Sequence, residues 1–322
     1  MFQLYKKRSF GDMISDTFAF LKITGKHFFK NYFILIGAFL LVLLVLSYFV
    51  FKVYFEYAFS SVGAAFGNNP LQSTFGDNPA VIFLVFLLFF LLIIFISLLT
   101  YSFPISYFRL YDKHKQTTNF TSKDIANEMK ANFGKVVVFF LMALLIFVVI
   151  MFVIGFIIAI LSLASIILTM LFMFPLLFII IPMLYIWFTQ SFYHQLNTNH
   201  GIMASLSSGW SNLMNNFWPI LGSTIIIYAI ITIIGYIISM IPYIFGIGGM
   251  FGLGSSPDSF ADYESMSFFE IMMIITTLLS MLTSFITYNL LFINQGMIYY
   301  SSVEQKENRM PQSEIDLIGM EE

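Results

Sequence analysis

The sequence predicts an all-α fold: a polytopic membrane bundle of about six transmembrane helices in three hairpins, each preceded by a cytoplasmic interfacial amphipathic helix. The first observation is composition, because 59% of the 322 residues are hydrophobic and 10% charged, where a soluble domain carries about 25% charged residues. So few charges cannot coat a water-soluble core of this size. The second is a set of five charge-poor blocks, Tyr32–Tyr54, Ala80–Phe103, Val136–Phe188, Trp218–Phe245 and about Ser267–Ile293. Each is long enough to cross a hydrocarbon layer of about 30 Å, where only a structure that satisfies its own backbone polar groups is tolerated. The third is the placement of cations, fourteen of fifteen Lys and Arg falling on one side of the implied membrane.

Taken in order, Lys6, Lys7 and Arg8 lead into a mixed polar and apolar stretch instead of a short apolar core, so no cleavable secretory signal is expected. An interfacial helix is predicted over 9–24, with Phe10, Met13, Ile14, Phe18 and Leu21 on one face and Asp12, Asp16 and Lys22 on the other. It ends at the junction Asn31-Tyr32-Phe33 and leads into spans over 32–54 and 80–103.

A second interfacial helix is predicted over 121–132. Thr121-Ser122-Lys123-Asp124 resembles a capping box with Asp in place of Glu. The block that follows runs 53 residues without a charge, about 80 Å as one helix, and so must fold back as a hairpin. Spans are expected over 136–160 and 165–188, with Gly155, Ser162 and Ser165 marking the turn and Pro175 and Pro182 kinking the return. The third interfacial helix, 202–216, sets Ile202, Leu206, Trp210, Leu213 and Phe217 against Ser207, Ser208, Ser211, Asn212 and Asn215. Trp210, Phe217 and Trp218 are its candidate interfacial anchors. Spans over 218–245 and 267–293 complete the domain, 1–302, and 303–322 is expected to be a flexible acidic tail.

Each pair of spans closes on aromatic residues, Tyr107 to Tyr111, Phe192 and Tyr193, then Tyr299 and Tyr300, which read as belts at the inner interface. The amphipathic helix, the Asn-aromatic junction and the pair of spans thus recur three times. Cations before span one, between spans two and three, and after span six place both termini in the cytoplasm. The 190–217 segment has no Lys or Arg and is placed by parity.

Ser9-Phe10-Gly11 with Ile14-Ser15-Asp16-Thr17-Phe18, and Ser208-Gly209-Trp210 before Asn216-Phe217-Trp218, resemble a loose family of bacterial six-span membrane proteins of unknown function. That family is itself similar to the membrane domain fused to some glycerophosphodiester phosphodiesterases. The resemblance covers nearly the whole chain and implies the bacterial cytoplasmic membrane. Its members tend to carry basic residues where this chain has Gly209 and Ser211. No counterpart of the phosphodiesterase catalytic domain is present, so the resemblance implies no such activity.

Chemistry-bearing residues are sparse. There is no cysteine, which excludes disulfides and thiolate sites. His27, His114, His194 and His200 lack metal-ligand spacing, and neither a G-x-S-x-G elbow nor an H-E-x-x-H helix occurs. Glu270 reads as a helix-start carboxylate, and Gln190, Asn289, Asn294 and Gln295 as packing hydrogen bonds between helices. The glycines at 246, 248, 249, 252 and 254 read as an outer connector. The expected function is a non-catalytic integral membrane scaffold or assembly subunit of a cell-envelope complex. The alternative is a lipid-handling or transport protein with an apolar cavity between the hairpins. No cofactor or metal is expected; the partners expected are membrane lipids and other membrane or cytoplasmic proteins, with no nucleic acid. In the tail, Ile315, Leu317 and Ile318 are the candidate docking residues.

Overall fold

Backbone polarity that cannot reach water is satisfied in this chain by coiling. The computed structural model describes residues 2–65, 78–198, 200–252 and 263–308, with side chains for all of these except 56–65, 241–243, 245–252 and 263–270. Among the described residues there is no strand. The helices are α1 Phe10–Ala65, α2 Pro79–Lys113, α3 Ser122–Ala164, α4 Ile166–Pro175, α5 Ile181–Asn197, α6 Ile202–Asn215, α7 Phe217–Gly252 and α8 Tyr263–Glu307. Among the described residues, six stretches are long and apolar enough to cross a membrane: Phe10–Phe55, Pro79–Lys113, Ser122–Ala164, Ile166–Asn197, Phe217–Met240 and Ile271–Glu307. The protein is a multi-pass helical membrane protein.

The first two interfacial helices do not exist as separate elements. Residues 9–24 are the start of α1 and residues 121–132 the start of α3. At about 1.5 Å per residue these helices are roughly 84 Å and 64 Å long, and no helix break separates residues 9–24 or 121–132 from the residues that follow. The cause is local. Asn31 Nδ2 donates to His27 O at 2.7 Å and Asn132 Nδ2 to Glu128 O at 2.8 Å, so each junction asparagine bonds back along its own helix and breaks nothing. The third junction does break, with Asn216 at φ −139°, ψ 51° between α6 and α7. Pro219 has no N–H to donate to Asn215 O, and the first bond of the new helix runs from Ile220 N to Asn216 O at 3.1 Å.

The hairpin in the long uncharged block turns on one residue. Ser165 is extended at φ −168°, ψ 134°; its N–H donates to Leu161 O, closing α3, and its hydroxyl accepts from Ile167 N, opening α4. Phe192 of α5 packs on Phe139 and Phe140 of α3 at 5.1 and 5.4 Å, which shows that the chain returns antiparallel. Pro175 and Pro182 bracket a π-helical turn over Leu176–Ile180 in which Ile181 N donates five residues back to Leu176 O. Two missing donors on one stretch leave the wider loop as the way to keep the backbone bonded.

Two other expectations give way at the helix ends. α7 continues through the glycines at 246, 248 and 249 to Gly252, where a connector was expected; Gly254 lies outside the described residues. α8 continues through Val303 to Glu307, so the tail cannot begin at 303: Ser301, Ser302 and Glu304 are buried there. Ile315, Leu317 and Ile318 lie outside the described residues.

The chain divides into two compact units, Met1–Tyr32 with Tyr101–Ala229 and Leu290–Glu322, and Phe33–Thr100 with Ile230–Asn289. In the second, α1 buries Ile36, Leu40, Leu43, Ser47 and Val50 at alternating spacings of four and three, the stripe of a packed helix seam. Phe39 and Phe51 meet Phe95 and Phe89 of α2 at 5.2 and 6.2 Å. Ser239 of α7 and Ser280 of α8 share a hydrogen bond of 2.7 Å. Asn289, expected to bond a neighbouring helix, donates to Phe285 O of its own.

The first unit holds most of the buried aromatic and polar side chains. In α1 the packed stripe is Met13, Thr17, Phe20, Thr24 and Phe28, while Phe10 and Phe18 stay 41% exposed. The apolar face is therefore rotated from the one expected, because each threonine hydroxyl donates to the carbonyl four residues back and becomes compatible with burial. The aromatic residues read as interface belts are also inside. Tyr107, Phe108, Tyr111, Phe192, Tyr193, Tyr299 and Tyr300 are all buried, with Phe108 4.9 Å from Phe20 and 5.7 Å from Tyr300. They satisfy their faces and edges against one another. A Cβ on Gly296 would stand 2.9 Å from Phe108 Cζ, so the ring seats against bare backbone.

Candidate functional site

The polar side chains of the first unit do two kinds of work. One set ties elements together. Residues 2–9 run as a strap across the unit, with Phe2 and Leu4 buried and Arg8 4% exposed. Arg8 Nη1 donates to Leu4 O at 2.8 Å, Nη2 to Gln3 O at 2.9 Å and Nε to Asp16 Oδ2 at 2.9 Å, while its backbone N–H donates to Ser301 Oγ at 2.9 Å. Burial pulls this guanidinium below its ordinary pKa and Asp16 opposes the shift. Tyr111 closes the other end of the strap, its hydroxyl accepting from Phe2 N and donating to Phe2 O, both at 3.2 Å.

Gln190 Nε2 donates to Gln295 O at 2.9 Å, Gln295 Nε2 to Thr224 Oγ1 at 2.9 Å, and Asn294 Nδ2 to Met13 O at 3.1 Å and Thr17 Oγ1 at 3.2 Å. The three amides thus do bridge helices, joining α5 to α8, α8 to α7 and α8 to α1. His27 joins α1 to α2, its Nδ1 2.9 Å from Tyr107 Oη and its Nε2 3.0 Å from Phe120 O.

α6 is held the same way. Trp187 Nε1 donates to Leu206 O at 2.8 Å and Ser205 Oγ to Gln195 Oε1 at 2.7 Å. Gly209 lies where a Cβ would stand 2.6 Å from Ser191 N, so the crossing with α5 requires glycine. Ser205, Leu206, Gly209, Asn212 and Leu213 are the buried face, rotated from the predicted one by about one residue because close backbone approach selects small side chains. Trp210 sets its ring edge-on to Trp187 at 5.5 Å and is 41% exposed, Phe217 packs at the edge of the cluster formed by Met13, Ile186, Leu213, Ile220, Leu221 and Ile298, and Trp218 is 69% exposed.

The second set opens onto a cleft of about 260 Å³ formed where α2, α5, α6 and α8 end in the first unit. Arg109 and Lys113 form one wall and share Glu128, at 2.8 and 2.9 Å. Asp112 lies beside them and accepts from Tyr5 Oη at 2.9 Å. Lys306, from α8, donates to Asn212 Oδ1 at 2.7 Å. His194 and Ser208 line it too, and His194 Nε2 stands 3.3 Å from His200 Nδ1. The six-residue spacing of that pair does not suit one helical face, yet the rings stack, because α5 ends at Asn197 and the chain doubles back. Among the described residues no three His, Cys, Asp or Glu side chains are grouped to hold a metal ion.

Comparison with known proteins adds nothing to this geometry: no family model, no curated protein and no solved structure matches the chain.

The sequence missed the cleft. Its cations read as topology determinants, and the residues that join them, Tyr5, Asn212 and Lys306, lie far apart in the chain.

Proposed function

We propose that the protein is a non-catalytic scaffold or assembly subunit of a membrane complex, seated in the bacterial cytoplasmic membrane with both termini in the cytoplasm. The observation that carries this reading is the hairpin of α3 and α4. From Phe140 through Pro175 no residue is buried, and Leu145, Phe152, Leu163 and Ile166 are 64%, 77%, 89% and 68% exposed. An apolar helix pair with so little packing of its own offers its surface to helices of another membrane protein. Hydrophobicity alone does not join helices in lipid; side-chain packing does.

The polar groups described above support the non-catalytic part. Gln190, Asn294, Gln295, Arg8 and Asp16 bind one another or the backbone, leaving none of these poised as a base or nucleophile. The cytoplasmic placement of the termini rests on the cation asymmetry, and the bacterial membrane on the family resemblance. The lipid-handling alternative is favoured by the polar cleft at the helix ends, which is suited to a headgroup more than to an acyl chain.

The test is isolation of the full chain from native membranes in a mild detergent. Stoichiometric membrane-protein partners, lost when Leu145 and Phe152 are both changed to Ala, support the scaffold; recovery with lipid alone sinks it. Removal of 309–322 reports separately on Ile315, Leu317 and Ile318 as a docking peptide for a cytoplasmic partner.

A further inference from the structure

The cleft holds an electrostatic feature that the scaffold reading leaves without a role. Lys306 and Asp112 both line it, and neither forms an ion pair among the described residues. Lys306 donates to the neutral Asn212, and Asp112 accepts from the neutral Tyr5 hydroxyl. The two are not paired with each other, although they share one small space. The remaining cations of the wall, Arg109 and Lys113, are both engaged by Glu128.

Glu307, the residue after Lys306, also lines the cleft and acts on that ammonium through space, so the lining sets cation and carboxylates near one another without pairing Lys306 to Asp112, and is complementary to a ligand whose own two charges are separated. A purely anionic ligand would meet Asp112, and a purely cationic one would meet Lys306; like charges at that range repel. The rest of the lining agrees. Tyr5 and Tyr300 meet edge to face at 5.3 Å, and Tyr299 stacks on Tyr193 at 5.5 Å, so aromatic rings line the space where a ligand ammonium would approach Asp112. Ser208, Thr198 and Asn197 add hydroxyl and amide groups to the lining. A volume of about 260 Å³ falls just below the roughly 300–1,000 Å³ of sites for drug-sized molecules, and so suits a headgroup-sized ligand.

The geometry points to a binding site for a zwitterionic phosphate ester carrying a primary amine, the chemistry of phosphoethanolamine, with its phosphate on Lys306 and its ammonium on Asp112. The source is either the headgroup of a phospholipid or the free ester. The inference does not depend on the scaffold reading, which concerns the α3–α4 hairpin.

The experiment uses the full chain in delipidated detergent and in nanodiscs. Calorimetric titration with phosphoethanolamine is set beside glycerol phosphate, which lacks the amine, and ethanolamine, which lacks the phosphate. Native mass spectrometry from nanodiscs of phosphatidylethanolamine is set beside phosphatidylglycerol. Binding of the free ester identifies a soluble ligand; retention of phosphatidylethanolamine alone identifies the headgroup; either supports the site. Lys306→Gln weakens binding about tenfold or more, as loss of a charged hydrogen bond does, and Lys306→Arg retains it. Asp112→Asn still accepts from Tyr5 but loses the preference for phosphoethanolamine over glycerol phosphate. Lys130→Gln, which removes an exposed charge outside the cleft, has no effect. Failure of both phosphoethanolamine and phosphatidylethanolamine to bind overturns the inference, as does an equal loss in Lys130→Gln. Should Lys306→Gln not fold, Ser208→Asp adds a carboxylate to those of Asp112 and Glu307 in the cleft and weakens binding.

Discussion

Arg8 shows how a residue read for its charge turns out to be placed for its hydrogen bonds. It belongs to the basic run that marks the cytoplasmic side, yet its guanidinium is buried and bonds Leu4 O, Gln3 O and Asp16. Arg8→Ala removes the donor to Leu4 O and Gln3 O and the shorter of the two cation contacts of Asp16, which keeps Lys6 at 3.3 Å, and is expected to cost about 1–3 kcal/mol, read as a lowered unfolding temperature in detergent. Arg8→Lys restores little of it, since one ammonium cannot reproduce the planar fork. Recovery of native stability by lysine would show that charge alone matters there. Gly209 makes the opposite point, a residue whose value lies in having no side chain. Gly209→Ala forces α6 away from Ser191 and is expected to destabilise by about 1–3 kcal/mol, with Trp187 fluorescence reporting the loosened contact. An unchanged melt and spectrum would mean that the crossing is wider than described. Neither role is legible from the sequence: burial of Arg8 and the approach of Ser191 depend on contacts distant along the chain.

At the scale of the helix, the sequence placed the apolar segments well and their ends less well. Thr121 shows a local signal that is self-sufficient, because the capping box it forms with Asp124 uses residues three apart: Thr121 N donates to Asp124 Oδ2 at 2.8 Å and Asp124 N to Thr121 Oγ1 at 3.4 Å. Asn31 shows the limit of such signals. An asparagine before aromatic residues is compatible with a helix end, but its amide bonds back to His27 and α1 runs through. Amide exchange is therefore expected to be slow from Asn31 through Phe33, as in a helix interior, and fast at Asn216, where the backbone leaves helical geometry. Rapid exchange at Asn31 comparable to Asn216 would restore a separate first interfacial helix. The face a helix buries was the least legible property. In α1 and α6 the buried stripe includes Thr17, Thr24, Ser205 and Asn212, small polar residues that a hydrophobicity pattern assigns to the outside but that bond back along their own helix or to a neighbouring one and permit close packing.

For the whole molecule, the proposed orientation has a direct check, because the chain has no native cysteine to give background labelling. With a membrane-impermeant thiol reagent on intact cells, Ser165→Cys is expected to label. Lys115→Cys and Gly201→Cys are expected to label only after permeabilisation. Labelling of Gly201→Cys from outside would invert the parity on which the second and third hairpins depend. The number and order of the apolar helices follow from the sequence alone, since a stretch without charges has only one way to satisfy its backbone in hydrocarbon, and that constraint acts on each segment separately. The one-residue turn at Ser165 and the break before Pro219 are equally local. Only the tertiary structure decided that the aromatic residues at the span ends face one another, that residues 2–9 strap the first unit, and that Lys306 and Asp112 share a cleft. Those arrangements join positions as much as 293 residues apart in the chain, and no period or motif encodes a contact that exists only after separate helices have packed.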